Sequence, residues 1–179
     1  QLREIADYMH VHGNLKLDHC IIDTLPKGLV VDERLSICYT NIQAIPADCR
    51  CNELVASYSK LISIPCNWEV SRLDIEGCPI TELPKGLRIG SHLNIAYTQI
   101  REITEAYPNI ALNASYSQVV KLPDNWQARS VFVKGCPIDV LPKGMKVICN
   151  LNIAETAITF IPDDCQVGNS IYASKSNLK

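Results

Sequence analysis

The sequence predicts a solenoid of nine short turns, and three observations carry that expectation. The first is a period. Leading apolar residues recur at Leu15, Leu35, Leu54, Leu73, Leu93, Leu112, Val131, Leu151 and Ile171, at intervals of 19 or 20 residues. Near-equal spacing of this kind marks stacked units, each of which buries little alone and gains its core from its neighbours. The second is alternation within the unit. Leu35-Ser36-Ile37 and Leu151-Asn152-Ile153 read in, out, in, the period of a β-strand. The third is a longer period of 58 residues, visible as Leu15, Leu73 and Val131. Gly77-Cys78-Pro79-Ile80 followed by Leu83-Pro84-Lys85-Gly86-Leu87 recurs as Gly135-Cys136-Pro137-Ile138 followed by Leu141-Pro142-Lys143-Gly144-Met145. A three-turn block has been duplicated.

Each element follows from these patterns. Residues 1–13 read either as a short helical cap, with Leu2, Ile5 and Met9 facing the first turn, or as the tail of an upstream repeat. Residues 14–179 are the solenoid. Its strands are expected to pair in parallel as one sheet. A unit this short has no room for a strand, two turns and a long helix. The return side is therefore expected to be extended, polyproline-like or 3₁₀, with little helix. Proline after the last apolar position, as in Ile45-Pro46 and Ile161-Pro162, fits that path because it fixes φ and lacks a donor. Unit five has Ile103-Thr104-Glu105 in place of the Ile-Pro step, so its return is expected to be irregular. In the Leu-Pro-Lys-Gly step, glycine supplies the turn and lysine faces water. Trp68 and Trp126, equivalent by the long period, are expected in the return-side core. No cap follows Leu178, which suggests a longer parent chain or self-association through uncapped ends.

The pattern L-x-[LI]-x-x-[TCS]-x-I-x-x-[LI]-P resembles the leucine-rich repeat. More narrowly, it is similar to the short bacterial Leu-Pro type found in the repeat domains of type III secreted effectors. The resemblance covers residues 11–179. It implies a leucine-rich-repeat solenoid with its sheet on a concave face, used for recognition. The family usually has asparagine at the sixth position of each unit. Here that column is Cys20, Thr40, Ser59, Cys78, Thr98, Ser117, Cys136, Thr156 and Ser176, an inward ladder of small residues. Threonine and serine replace the asparagine bonds weakly, and cysteine is mainly an apolar filler.

Composition excludes several function classes. Net charge is −2 with no basic run, which argues against a nucleic-acid binder or an anionic-lipid binder. No apolar run reaches the roughly 20 residues that span a bilayer. The nine cysteines do not pair by repeat position. Cys20, Cys78 and Cys136 lie three turns apart, about 14 Å from strand spacing, and a disulfide needs Cα atoms within about 7 Å. Free thiols and a reducing compartment are expected, the bacterial cytosol or, for a secreted effector, the host cytosol. No catalytic motif, dinucleotide fingerprint or zinc-ligand spacing occurs, so neither an enzyme nor a cofactor is expected.

The candidate site is the sheet face. Its fifth column runs His19, Tyr39, Tyr58, Gly77, Tyr97, Tyr116, Gly135, Glu155 and Lys175. The fifth position is read as an outward strand residue, with the two glycines leaving notches. Phe132 and Tyr172 stand in the second column, and Arg34, Arg72, Asp74 and Glu76 add charges of both signs. Tyrosine gives a large contact area at low entropy cost, so Tyr39, Tyr58, Tyr97 and Tyr116 are candidate hot spots; the same column could instead serve only to stabilise the sheet. Asp74 and Glu76 share a face and read as solvated acids. The expected function is a protein-binding scaffold. The alternatives are the substrate-recognition part of a larger effector enzyme such as a ubiquitin ligase, and a structural module that stacks end to end.

Overall fold

In the computed structural model, which describes residues 5–179, the chain winds as a parallel β-solenoid of about nine turns. No helix occurs among the described residues. The leading apolar column of the sequence is the register of the main ladder. Leu15 pairs with Leu35, Leu35 with Leu54, Leu54 with Leu73, and so on through Leu93, Leu112, Val131 and Leu151 to Ile171. All pairings are parallel, because every turn runs the same way round.

The return side is extended and without helix among the described residues, as expected, but the strands do not form a single sheet. Immediately before the main strand, most turns add a second short parallel ladder. It includes His10–Val11, Gln127–Ala128, Lys146–Val147 and Gln166–Val167. In the middle turns it fuses with the main strand, giving Val30–Ser36, Arg50–Val55, Glu69–Asp74 and Arg88–Asn94. Register shifts between Val31 and Arg34, and between Val70 and Arg72, mark the corner between the two ladders. The residues that build it also alternate: Leu29-Val30-Val31, Trp68-Glu69-Val70 and Met145-Lys146-Val147 place the flanking residues inward.

The ladder breaks in turn six, and proline is the cause. Arg50, Arg88, Lys146 and Gln166 each donate a backbone N–H to the preceding turn, to Leu29, Trp68, Trp126 and Met145. Pro108 holds the equivalent position and has no N–H to give. Only Ala111–Asn113 of that turn is strand. The irregular return expected from unit five is therefore sharpened by its proline.

Residues 5–13 contain no helix. His10 pairs with Val30 and Val11 with Val31. Ile5 packs against the core, Met9 is exposed, and Leu2 lies outside the described residues.

Each full turn sends six apolar residues inward. In the second turn these are Leu35, Ile37, Ile42, Ile45, Cys49 and Cys51, all buried. Trp68 and Trp126 fill the return-side core as expected. Their indole N–H groups donate to the carbonyls of Cys49 (3.0 Å) and Tyr107 (2.7 Å), which removes the cost of burying them.

Leu93 is fully buried, whereas Ile171, in the same column, is exposed. Leu93→Ala should cost about 2–5 kcal/mol in urea unfolding, and Ile171→Ala under about 1 kcal/mol. Equal costs would contradict the burial gradient along the column.

Candidate binding face

The main strand of every turn ends in a tight reversal. Leu17-Asp18-His19-Cys20 is the first, closed by the Cys20 N–H donating to the Leu17 carbonyl at 3.1 Å. The residue at its third place is the fifth of the repeat. All nine members of that column, from His19 to Lys175, have φ between 56° and 68°. The tyrosines therefore do not stand on the strand, as the alternation suggested. They occupy the line of turns bordering the sheet. Strand alternation ends one residue earlier, because the chain leaves the extended region at the fourth position.

A left-handed residue other than glycine costs about 1–2 kcal/mol. Side-chain bonds within the turns, and to the turn before, offset that cost. Thr40, Thr98 and Thr156 donate from Oγ1 to the carbonyls of Ile37, Ile95 and Ile153, at 2.7–2.8 Å. Cys78 and Cys136 Sγ reach the Ala56 and Ala114 carbonyls at 3.0 Å and lie 3.4–3.5 Å from Ser59 and Ser117 Oγ. Asn94, Asn113 and Asn152 accept the N–H two residues on, at 3.0–3.2 Å. The small inward ladder is thus buried and hydrogen-bonded, and its cysteines contribute more than filling.

The left-handed column aligns its side chains into two aromatic stacks. His19 lies 4.7 Å from Tyr39, and Tyr39 lies 5.4 Å from Tyr58, ring centre to ring centre. Tyr97 and Tyr116 form the second stack at 5.2 Å. These distances follow the 4.7–4.9 Å spacing of strands. Each stack ends on a glycine. A Cβ on Gly77 or Gly135 would sit 2.5 Å from the ring of Tyr58 or Tyr116. The expected notches are therefore covered by the preceding tyrosine. Tyr58 Oη donates to Glu76 Oε1 at 2.6 Å, and Tyr116 Oη donates to Glu155 Oε2 at 3.3 Å across Gly135. Lys134 Nζ stands 5.4 Å from the centre of the Tyr116 ring. The four tyrosines remain between 37% and 54% exposed, so the stacks are solvent-facing.

The other candidate residues do not join these stacks. Arg34 bonds Glu53 at 2.8 Å on an exposed part of the sheet. Asp74 is buried, contrary to its reading as a solvated acid. Its Oδ1 accepts from Ser57 Oγ (2.9 Å), Asn94 Nδ2 (3.1 Å) and the Glu76 N–H (3.4 Å), and its Oδ2 faces Arg72 at 3.3 Å. Asp74 is consumed by internal bonds. Glu76 is shared between Tyr58 and Asn94. Burial and the Arg72 charge push the His92 imidazole down. Phe132 is half-buried and Tyr172 exposed, with Asn152 between them in the ladder.

All nine cysteines are unpaired. Burial pushes the Cys49 thiol up to about 11 and the Cys51 thiol up to about 12, so both stay protonated at neutral pH.

One cluster escaped sequence reasoning. His10, His12 and Asp32 bring ligand-capable atoms within 4.8 Å of one another. His10 Nε2 bonds Asp32 Oδ1 at 2.6 Å, and His12 Nδ1 bonds Oδ2 at 3.0 Å. These bonds hold the Asp32 carboxyl below its ordinary range. The available signal is His-x-His, which brings both rings to one face where the chain is extended. Asp32 joins them only through inter-turn register.

The described residues contain no helix long and apolar enough to cross a membrane. Comparison with protein-family models, curated proteins and solved structures finds no match to this chain.

Two outcomes test this face. Tyr97→Gly and Tyr97→Ala both remove a stacked ring, but only glycine tolerates the turn. The glycine variant should be the more stable by about 1 kcal/mol in thermal unfolding, and the reverse order would contradict the left-handed assignment. The Glu76 carboxylate accepts a hydrogen bond from the Tyr58 hydroxyl and pushes that phenol up from 10.0 to about 12. Its contribution to stability is present below pH 10 and is lost as pH rises toward 12. In an ultraviolet titration, Glu76→Gln should bring one tyrosine back toward 10, and an unchanged profile would exclude the bond.

Proposed function

We propose that this chain is a protein-binding scaffold whose contact surface is the turn-borne aromatic ladder. The observation that carries the reading is the pair of solvent-facing stacks, His19-Tyr39-Tyr58 and Tyr97-Tyr116, held in fixed register by the backbone. Rigid aromatic rings give contact area at small entropic cost, and pre-organisation lowers the cost of association further. Charges around the ladder are of mixed sign, with Lys134, Glu76 and Glu155 beside the rings. That mixture suits a protein partner better than a polyanion.

The resemblance to the leucine-rich-repeat domains of bacterial effectors is consistent with a recognition role. The unpaired thiols fit a reducing compartment. Asp74 leaves the set of contact residues in this reading, because it is buried and bonded to Arg72, Ser57 and Asn94.

The test removes the rings while keeping the turns. Asparagine tolerates left-handed φ, so Tyr39→Asn, Tyr58→Asn, Tyr97→Asn and Tyr116→Asn combined should preserve the fold by circular dichroism. Partner capture from the source lysate, read by mass spectrometry, should fall at least about tenfold, the loss of one hot spot. If the native chain and the folded variant retain the same proteins equally, the ladder is not the interface.

A further inference from the structure

We propose that His10, His12 and Asp32 form a binding site for a divalent transition-metal ion of the zinc class, with water completing its shell. The proposal is independent of the aromatic ladder. Two consecutive turns supply the ligands. His10 lies in the first strand, His10–Val11, and His12 sits in the bend just after it, with both rings turned to Asp32. Val11 pairs with Val31, which sets Asp32 opposite His12 in the neighbouring turn.

The geometry is close to that of a metal shell. The three donors lie within 4.8 Å of one another, with His10 Nε2 and His12 Nδ1 at 2.6 Å and 3.0 Å from the two Asp32 oxygens. The imidazole centres are 4.2 Å apart. Tetrahedral zinc with bonds of about 2.0–2.2 Å holds its donors roughly 3.3 Å apart. Side-chain rotation suffices to close the widest pair, since all three residues are exposed. The backbone beneath them is fixed: the Val30 N–H donates to the Met9 carbonyl at 3.0 Å, and the Glu33 N–H to the Gly13 carbonyl at 3.2 Å.

The donor set selects the metal. Two imidazoles and one carboxylate suit zinc, nickel, copper or iron(II), whereas calcium and magnesium prefer oxygen alone. Three protein ligands leave at least one position open to water. The ion would also clip the first strand to the next turn, which predicts stabilisation by mass action.

The experiment is a Zn²⁺ titration of the full chain, read on the imidazole protons by NMR. The chain has four histidines, at 10, 12, 19 and 92, so the spectrum resolves the site. The His10 and His12 resonances should move and saturate near one equivalent, while those of His19 and His92 stay. Zinc captured by cysteines would leave all four unmoved and would overturn the proposal. Asp32→Asn should weaken the site by about tenfold or more, and His10→Gln with His12→Gln should abolish the rise in melting temperature that zinc gives the native chain. His92→Gln should bind as the native chain does. Zinc stabilisation that persists in the folded His10→Gln/His12→Gln chain would place the metal elsewhere.

Discussion

The main strand of every turn ends at a left-handed residue, and the rest of the structure depends on that reversal. It ends the main strand at the same place each time. It turns the following apolar residue back into the core, so that Ile42, Leu61, Ile80 and Ile100 are buried in succession. Because the reversal recurs once per turn, side chains of equal rank stack at the strand spacing. The columns of the sequence become physical ladders.

Two of those ladders run on opposite sides of the same turn. Inside, the cysteine–threonine–serine column bonds the carbonyls and N–H groups that the reversal leaves over. Outside, the tyrosine column covers the turns with stacked rings. The three-turn period acquires a packing explanation here. Tyr58-Ser59 is followed one turn on by Gly77-Cys78, and Tyr116-Ser117 by Gly135-Cys136. Glycine makes room for the tyrosine ring above it, and the cysteine sulfur reaches the serine and a carbonyl in the turn before. The repeating block is a unit of side-chain packing, so one change within it disturbs a neighbouring turn.

The surface divides into residues used by the fold and residues left over. Ser57, Arg72 and Asn94 all bond Asp74 across three turns, and one cation with two neutral donors compensates its buried carboxylate. The aromatic stacks and the histidine–aspartate cluster keep exposed groups that fold-level bonding does not exhaust. That contrast separates the candidate binding groups from charges that are equally conspicuous in the sequence.

The sequence by itself determined the period, the parallel register and the inward columns. Leucine spacing and strand alternation are local and repeat many times, so stacking has one consistent solution. It also contained the second ladder, in the alternation of Leu29-Val30-Val31 and its equivalents, and the proline that breaks it, since Pro108 removes a donor wherever it falls. Only the tertiary structure decided that the tyrosine column lies on turns, that Gly77 and Gly135 are covered, and that Asp74 is buried. It alone brought Asp32 to His10 and His12. Those outcomes depend on which atoms of successive turns come together, a relation between residues about twenty apart that no local pattern encodes.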